Sequence, residues 1–224
     1  MFTRMELGRI AGIPIYLDMM FVLVVVVFGY RYFISGDVQI ISLGLVIVAG
    51  VLLSILLHEL GHALAGSVFG VKTREIELTG LGGLARFATA LPRSVLARTT
   101  IYLAGPAMNL VLWLGLQMLA VQATALGAPM LVRALATLAI LNFYLMAFNL
   151  LPAYPLDGGH TLDAWLGHVI GHVWSTRVVA ALGLAVCAGL VYFAFPSDIW
   201  LLLLAFVLFQ ANWSAFDGVS GRRR

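Results

Sequence analysis

Residues 58–62 read His58-Glu59-Leu60-Gly61-His62, within an apolar stretch long enough to cross a bilayer. On an α-helix, positions i and i+4 share one face, so both imidazoles point the same way. Two neutral imidazoles on one face can hold a divalent metal. With the adjacent carboxylate as proton acceptor, this spacing is the zinc-hydrolase pattern. A strongly polar or charged group at a helix centre in a membrane costs roughly 2.5–3.5 kcal/mol on insertion scales. Three such groups in one short segment therefore need compensation. The alternative is a helix whose histidines bond to neighbours and whose glutamate pairs with a cation.

A zinc hydrolase takes three protein ligands and leaves one position open. Among the remaining acids and histidines, Asp157 is the best candidate for the third. It closes the segment Asn149-Leu150-Leu151-Pro152-Ala153-Tyr154-Pro155-Leu156-Asp157, followed by Gly158-Gly159. Two prolines break the helix and remove backbone donors, and the two glycines relax the steric limits on the chain. Broken backbone at membrane depth is tolerated only where protein buries it or where it lines a cavity. This assigns one Zn²⁺ per chain to His58, His62 and Asp157. Glu59 is then free to take the proton of water and pass it to a leaving amine. Asn109, in the third apolar stretch, either supports an oxyanion or orients Glu59, or it is an interhelical hydrogen bond. His160, His168 and His172 form a second histidine group, either a second metal site or interfacial histidines, with His160 a partner for Asp157.

The elements that must position these groups are membrane spans. The chain of 224 residues is 62% hydrophobic and only 10% charged, with a mean hydropathy of +1.03. Ordinary soluble domains carry about 25% charge. Apolar stretches run approximately over 14–33, 39–68, 99–126, 131–151, 176–195 and 198–216. Each is long enough for a crossing of ~20 residues, which predicts an all-α polytopic membrane protein of about six transmembrane helices. Residues 1–13 read as a polar head, and the first stretch as a retained span without a cleavage site. Eleven of the thirteen Lys and Arg residues then fall on one side, Arg31 and Arg133 on the other. The positive-inside rule makes the larger side cytoplasmic, with both termini there and Arg222 to Arg224 as an anchor. A net charge of +3 gives no case for nucleic acid. The lone Cys187 excludes an internal disulfide and reads as a small packed residue.

The segment 69–98 is the longest polar stretch and is not helical in pattern. Val71 to Leu78 partly alternates, 79–83 offers turn chemistry, and Leu84 to Ala88 can return as a second strand. The expectation is a small β-hairpin near the cytoplasmic end of the second span, with an ordinary loop as the alternative. A free hairpin edge could receive an unwound substrate strand by β-addition.

His58-Glu59-Leu60-Gly61-His62, Gly105-Pro106-Ala107-Met108-Asn109 and the Asn149-to-Gly159 segment together resemble the site-2 protease family of intramembrane zinc metalloproteases. Gly12-Ile13-Pro14-Ile15 also looks like the start of that family's first span. The resemblance implies zinc ligation by His58, His62 and Asp157 and acid–base work by Glu59. It also implies that Asn149 and Pro155 position substrate or catalytic groups. The implied reaction is peptide hydrolysis within or beside a transmembrane segment of a single-span membrane protein, already cut once by another protease, releasing a regulatory domain. The expected organisation is one membrane-embedded domain over 1–224, with a catalytic core of about 39–165. The PDZ and CBS domains of many members are not expected, and the location is the cell membrane. A membrane zinc transporter or sensor using the same ligands is the competing function. It is disfavoured because membrane-depth acids are few, mainly Glu59 and Asp157.

Overall fold

The structure is a computed structural model that describes residues 4–80 and 82–220. Leu81 of the expected turn and the Arg222 to Arg224 anchor lie outside the described residues. The element order is β1 (Arg4–Ile10), β2 (Ile13–Asp18), α1 (Met19–Phe33), α2 (Val38–Val68), β3 (Thr73–Thr79), β4 (Gly82–Phe87), α3 (Val95–Ala125), α4 (Pro129–Asn149), α5 (Asp157–Ile170), α6 (His172–Ala194) and α7 (Ile199–Ser220). Five of these helices, α2, α3, α4, α6 and α7, are long and apolar enough to cross a membrane. The chain is an integral membrane protein. It divides into two compact units, Met1–Leu91 with Ala104–Met146, and Pro92–Leu103 with Ala147–Arg224.

In the first unit the sheet is larger than the expected hairpin, with strand order β1-β2-β3-β4. The extra strands come from residues expected to form a polar head and the start of a span. Ile10 pairs with Ile13, and Ala11 and Gly12 between them both have positive φ (49° and 83°). A two-residue turn of that kind matches strand twist and makes a hairpin. Asp18 then ends β2 and caps α1, its carboxylate accepting from Met20 N–H at 2.7 Å. What remains of the first apolar stretch is a helix of 15 residues, about 22 Å long.

β2 runs parallel to β3, with Ile15 opposite Ile76 and Leu17 opposite Leu78. One sheet face buries Ile15, Ile76 and Leu78 with Ala63 of α2, and Leu56 and Leu60 pack against them. The period of two sends Glu75 and Glu77 to the other face. There, Arg4 reaches Glu75 at 3.2 Å and Arg86 reaches Glu77 at 2.7 Å. The sheet is thus seated on the helix that carries the His-Glu-x-x-His motif.

In the second unit, Ala153, Leu156, Cys187 and Leu208 form a core, in line with the bland reading of Cys187. α6 and α7 are joined by a tight turn whose Asp198 carboxylate caps α7 through Trp200 and Leu201 N–H at 3.0 Å. Helix α5, fourteen residues long, is an element that hydropathy did not reveal.

Candidate metal centre

His58, Glu59 and His62 lie on α2, all buried, and one ligand atom from each falls within 4.8 Å of the others. The two imidazole rings stand edge to face, 80° apart, with their Nε2 atoms 3.1 Å from one another. Two nitrogens bonded to one tetrahedral zinc at ~2.0–2.1 Å stand about 3.3 Å apart. The pair therefore fits a shared metal ion.

The ring orientation is held from behind. His58 Nδ1 donates to Asn109 Oδ1 of α3 at 2.5 Å. Asn109 Nδ2 donates to Asn142 Oδ1 of α4 at 2.9 Å. Asn142 Nδ2 donates to Ser54 Oγ at 2.9 Å and to Leu138 O, and the Ser54 hydroxyl ends the chain on Gly50 O at 2.8 Å. The side chains of His58, Asn109, Asn142 and Ser54 are all buried, Asn109 and Asn142 completely. Read in order, each amide oxygen is an acceptor, so the proton of His58 sits on Nδ1 and Nε2 keeps its lone pair. That is the tautomer a metal requires. Asn109 is thus an interhelical bond; in place of the expected Glu59 or oxyanion, its amide meets His58 and Asn142. Asn142 and Ser54 were not foreseen. Their signal was a polar side chain at the middle of an apolar span.

Glu59 is placed by the sheet. Ala85 N–H of β4 donates to Glu59 Oε2 at 2.8 Å. A Cβ on Gly83 would run into the Glu59 carboxylate, and one on Gly105 would run into Nε2 of both histidines. Glycine at these two positions leaves room beside the three polar groups. It is a cradle that one methyl group would fill.

Asp157, Asn149 and Pro155 belong to the second unit. Asn149 ends α4, half-buried, and Pro155 is exposed within the break. Asp157 is buried and is the first residue of α5. Gly158 and Gly159 are therefore helical, not free. They are needed for close approach, since a Cβ on either would meet the backbone of Leu150 or Ala153. The break is clamped by a residue that sequence reading missed. Asn212 of α7 accepts from Tyr154 N–H at 3.0 Å and donates to Tyr154 O at 2.8 Å. A polar residue in the last apolar stretch was its only signal. His160 stacks on Tyr102 with centroids 5.1 Å apart and meets Tyr154 edge-on. His172 faces Asp163 at 4.0 Å. Neither falls among the described residues that group closely enough for a metal.

The comparisons with known proteins point to one family. The family model of peptidase family M50 matches residues 46–127 and 115–192. A zinc metalloprotease of Methanocaldococcus jannaschii is 33% identical over 214 residues, covering 92% of this chain and 59% of that protein. A Synechocystis relative is 31% identical over 180 residues, 76% of this chain and 46% of its own length. The chain thus spans about half the length of these relatives. The solved site-2 protease from Methanocaldococcus jannaschii superposes with a TM-score of 0.71 at 27% identity, covering 96% of this chain and 95% of that one. The mostly helical architecture with its small sheet is accordingly similar to the site-2 protease fold, and the chain belongs to peptidase family M50.

Proposed function

We propose that this protein is an intramembrane zinc endopeptidase that cuts a peptide bond within or next to a transmembrane segment of another membrane protein. The observation that carries this reading is the convergence of His58, Glu59 and His62 on a membrane-length helix. His58, His62 and Asp157 hold one zinc ion per chain. When bound, zinc polarises the scissile carbonyl and acidifies the attacking water. Glu59 takes the water proton and delivers it to the leaving nitrogen, and Ala85 N–H keeps its carboxylate aimed. Asn109 holds the His58 ring in register. Asn149 and Pro155 flank the substrate chain ahead of Asp157, and the exposure of Pro155 supports that role.

The substrate is a single-span protein already cut once, whose regulatory domain is released. The protein crosses the cell membrane six times, with both termini in the cytoplasm. The packing of α1 on α2 supports the sixth crossing: Phe21 and Val25 share a cluster with Leu52, Ile55 and Leu56, and Tyr32 packs on Leu43 and Ile47, so α1 runs antiparallel to α2.

The test is incubation of purified protein and zinc with candidate single-span proteins, read by mass. Wild type yields two fragments. Glu59→Gln retains zinc but loses turnover by about 10²–10⁴-fold, the usual worth of a general base. Full cleavage by Glu59→Gln would remove the assigned chemistry.

A further inference from the structure

The second unit contains a cleft that the metal centre does not use. It lies where the start of α3 meets the α5–α6 junction, holds about 290 Å³, and is lined by Arg93, Arg98, Asp163, Gly167, His168 and His172, among others. Its charges do not balance internally. The single carboxylate is already engaged: the Ser175 hydroxyl donates to Asp163 Oδ1 at 2.6 Å, and His172 Nδ1 stands 4.0 Å from Oδ2. Arg93 makes no ion pair among the described residues and is exposed. Arg98 is half-buried, and its Nε is shielded from solvent with no acceptor among the described residues. A shielded guanidinium N–H without an acceptor is costly. The cleft therefore has surplus donors and surplus positive charge, both of which call for an anion with several acceptor oxygens.

The surroundings narrow the source of that anion. Trp165, Val169, Ile170, Val173 and Trp174 are exposed on α5 and α6, the helices that contribute Asp163, His168 and His172 to the cleft. Arg177 lies over the Trp174 ring at 5.3 Å. Exposed tryptophans beside cations mark headgroup depth in a membrane protein, and basic pockets at helix ends there suit phospholipid headgroups.

We propose that this cleft binds the phosphate of an anionic phospholipid, with Arg93 and Arg98 donating to its oxygens and the exposed apolar side chains of α5 and α6 against its acyl chains. The two guanidiniums outnumber the single charge of Asp163, whose carboxylate is turned to Ser175.

The full chain, released from nanodiscs containing phosphatidylglycerol and phosphatidylcholine, is to be measured by native mass spectrometry. Wild type retains phosphatidylglycerol in preference to phosphatidylcholine. Arg93→Gln weakens that retention about fivefold and Arg93→Gln with Arg98→Gln roughly thirtyfold, with zinc content unchanged. Arg93 is exposed, so the single variant remains decisive should the double variant misfold. In a second arm, inorganic phosphate is added to the loaded protein, and the lipid stays bound. Displacement by phosphate would assign the same donors to a soluble anion and overturn the lipid source. Equal retention of both lipids by wild type, or undiminished retention by a folded Arg93→Gln, would overturn the site itself.

Discussion

An imidazole presents Nε2 to a metal only while its Nδ1 proton is held elsewhere, and for His58 the holder is Asn109. Removing a partner of this kind usually lowers metal affinity ten- to a hundredfold. Asn109→Leu is therefore expected to weaken zinc binding by about that factor, as measured by competition with a chelator of known affinity, while the helices stay folded. Unchanged affinity would show that the ring needs no support. The His-Glu-x-x-His group was legible in the sequence because i, i+4 is a local relation that helix geometry settles. Asn109 was left between two roles, since it lies 51 residues from His58. No local period carries that pairing. Gly105 was visible only as part of a motif; its reason, the space taken by two imidazoles, depends on how α3 approaches α2.

At the scale of elements, the sheet and α2 act together on Glu59. Strand β4 is an edge of the sheet. Ala85 sits opposite Ile76, yet its N–H goes to Glu59 and not to β3. Proline at this position removes no ladder bond, and an edge tolerates it. Ala85→Pro is thus expected to leave zinc content and stability near wild type while lowering turnover at least tenfold. Zinc analysis and the cleavage assay on one preparation measure both. If turnover survives, the strand does not aim the base. The hairpin itself was readable from alternation and turn residues. Strands β1 and β2 were not: β1 is exposed along its whole length and β2 buries only Ile15, so neither carries a buried–exposed alternation to separate strand from helix. Helix α5 was missed for a related reason: it is too polar to stand out by hydropathy and is set by its Asn212-clamped approach.

At the scale of the whole molecule, hydropathy and the distribution of Lys and Arg lead to six crossings, and five helices meet the length and composition of a span. The first apolar stretch is partly strand, leaving α1 with 15 residues. A bilayer can thin locally to meet a short helix at modest cost. The expected topology is checked with a reporter enzyme active only in the cytoplasm. Fused before Met1 or after Arg224 it is active; inserted between α3 and α4, at 126–128, it is silent. A silent fusion before Met1, or activity at 126–128, would overturn the six-crossing topology.

The sequence by itself determined that the chain is membrane-embedded, which side chains can hold a metal, and which one can move a proton. Those properties reside in composition and in spacings of a few residues, and local geometry converts them directly into faces and spans. Tertiary structure decided what supports the chemistry: the Asn109–Asn142–Ser54 chain, the β4 amide on Glu59, the Asn212 clamp and the β2–β3 pairing. These join residues 26 to 88 positions apart, and such contacts arise only when packing brings separate elements together, because buried polar groups must then find partners.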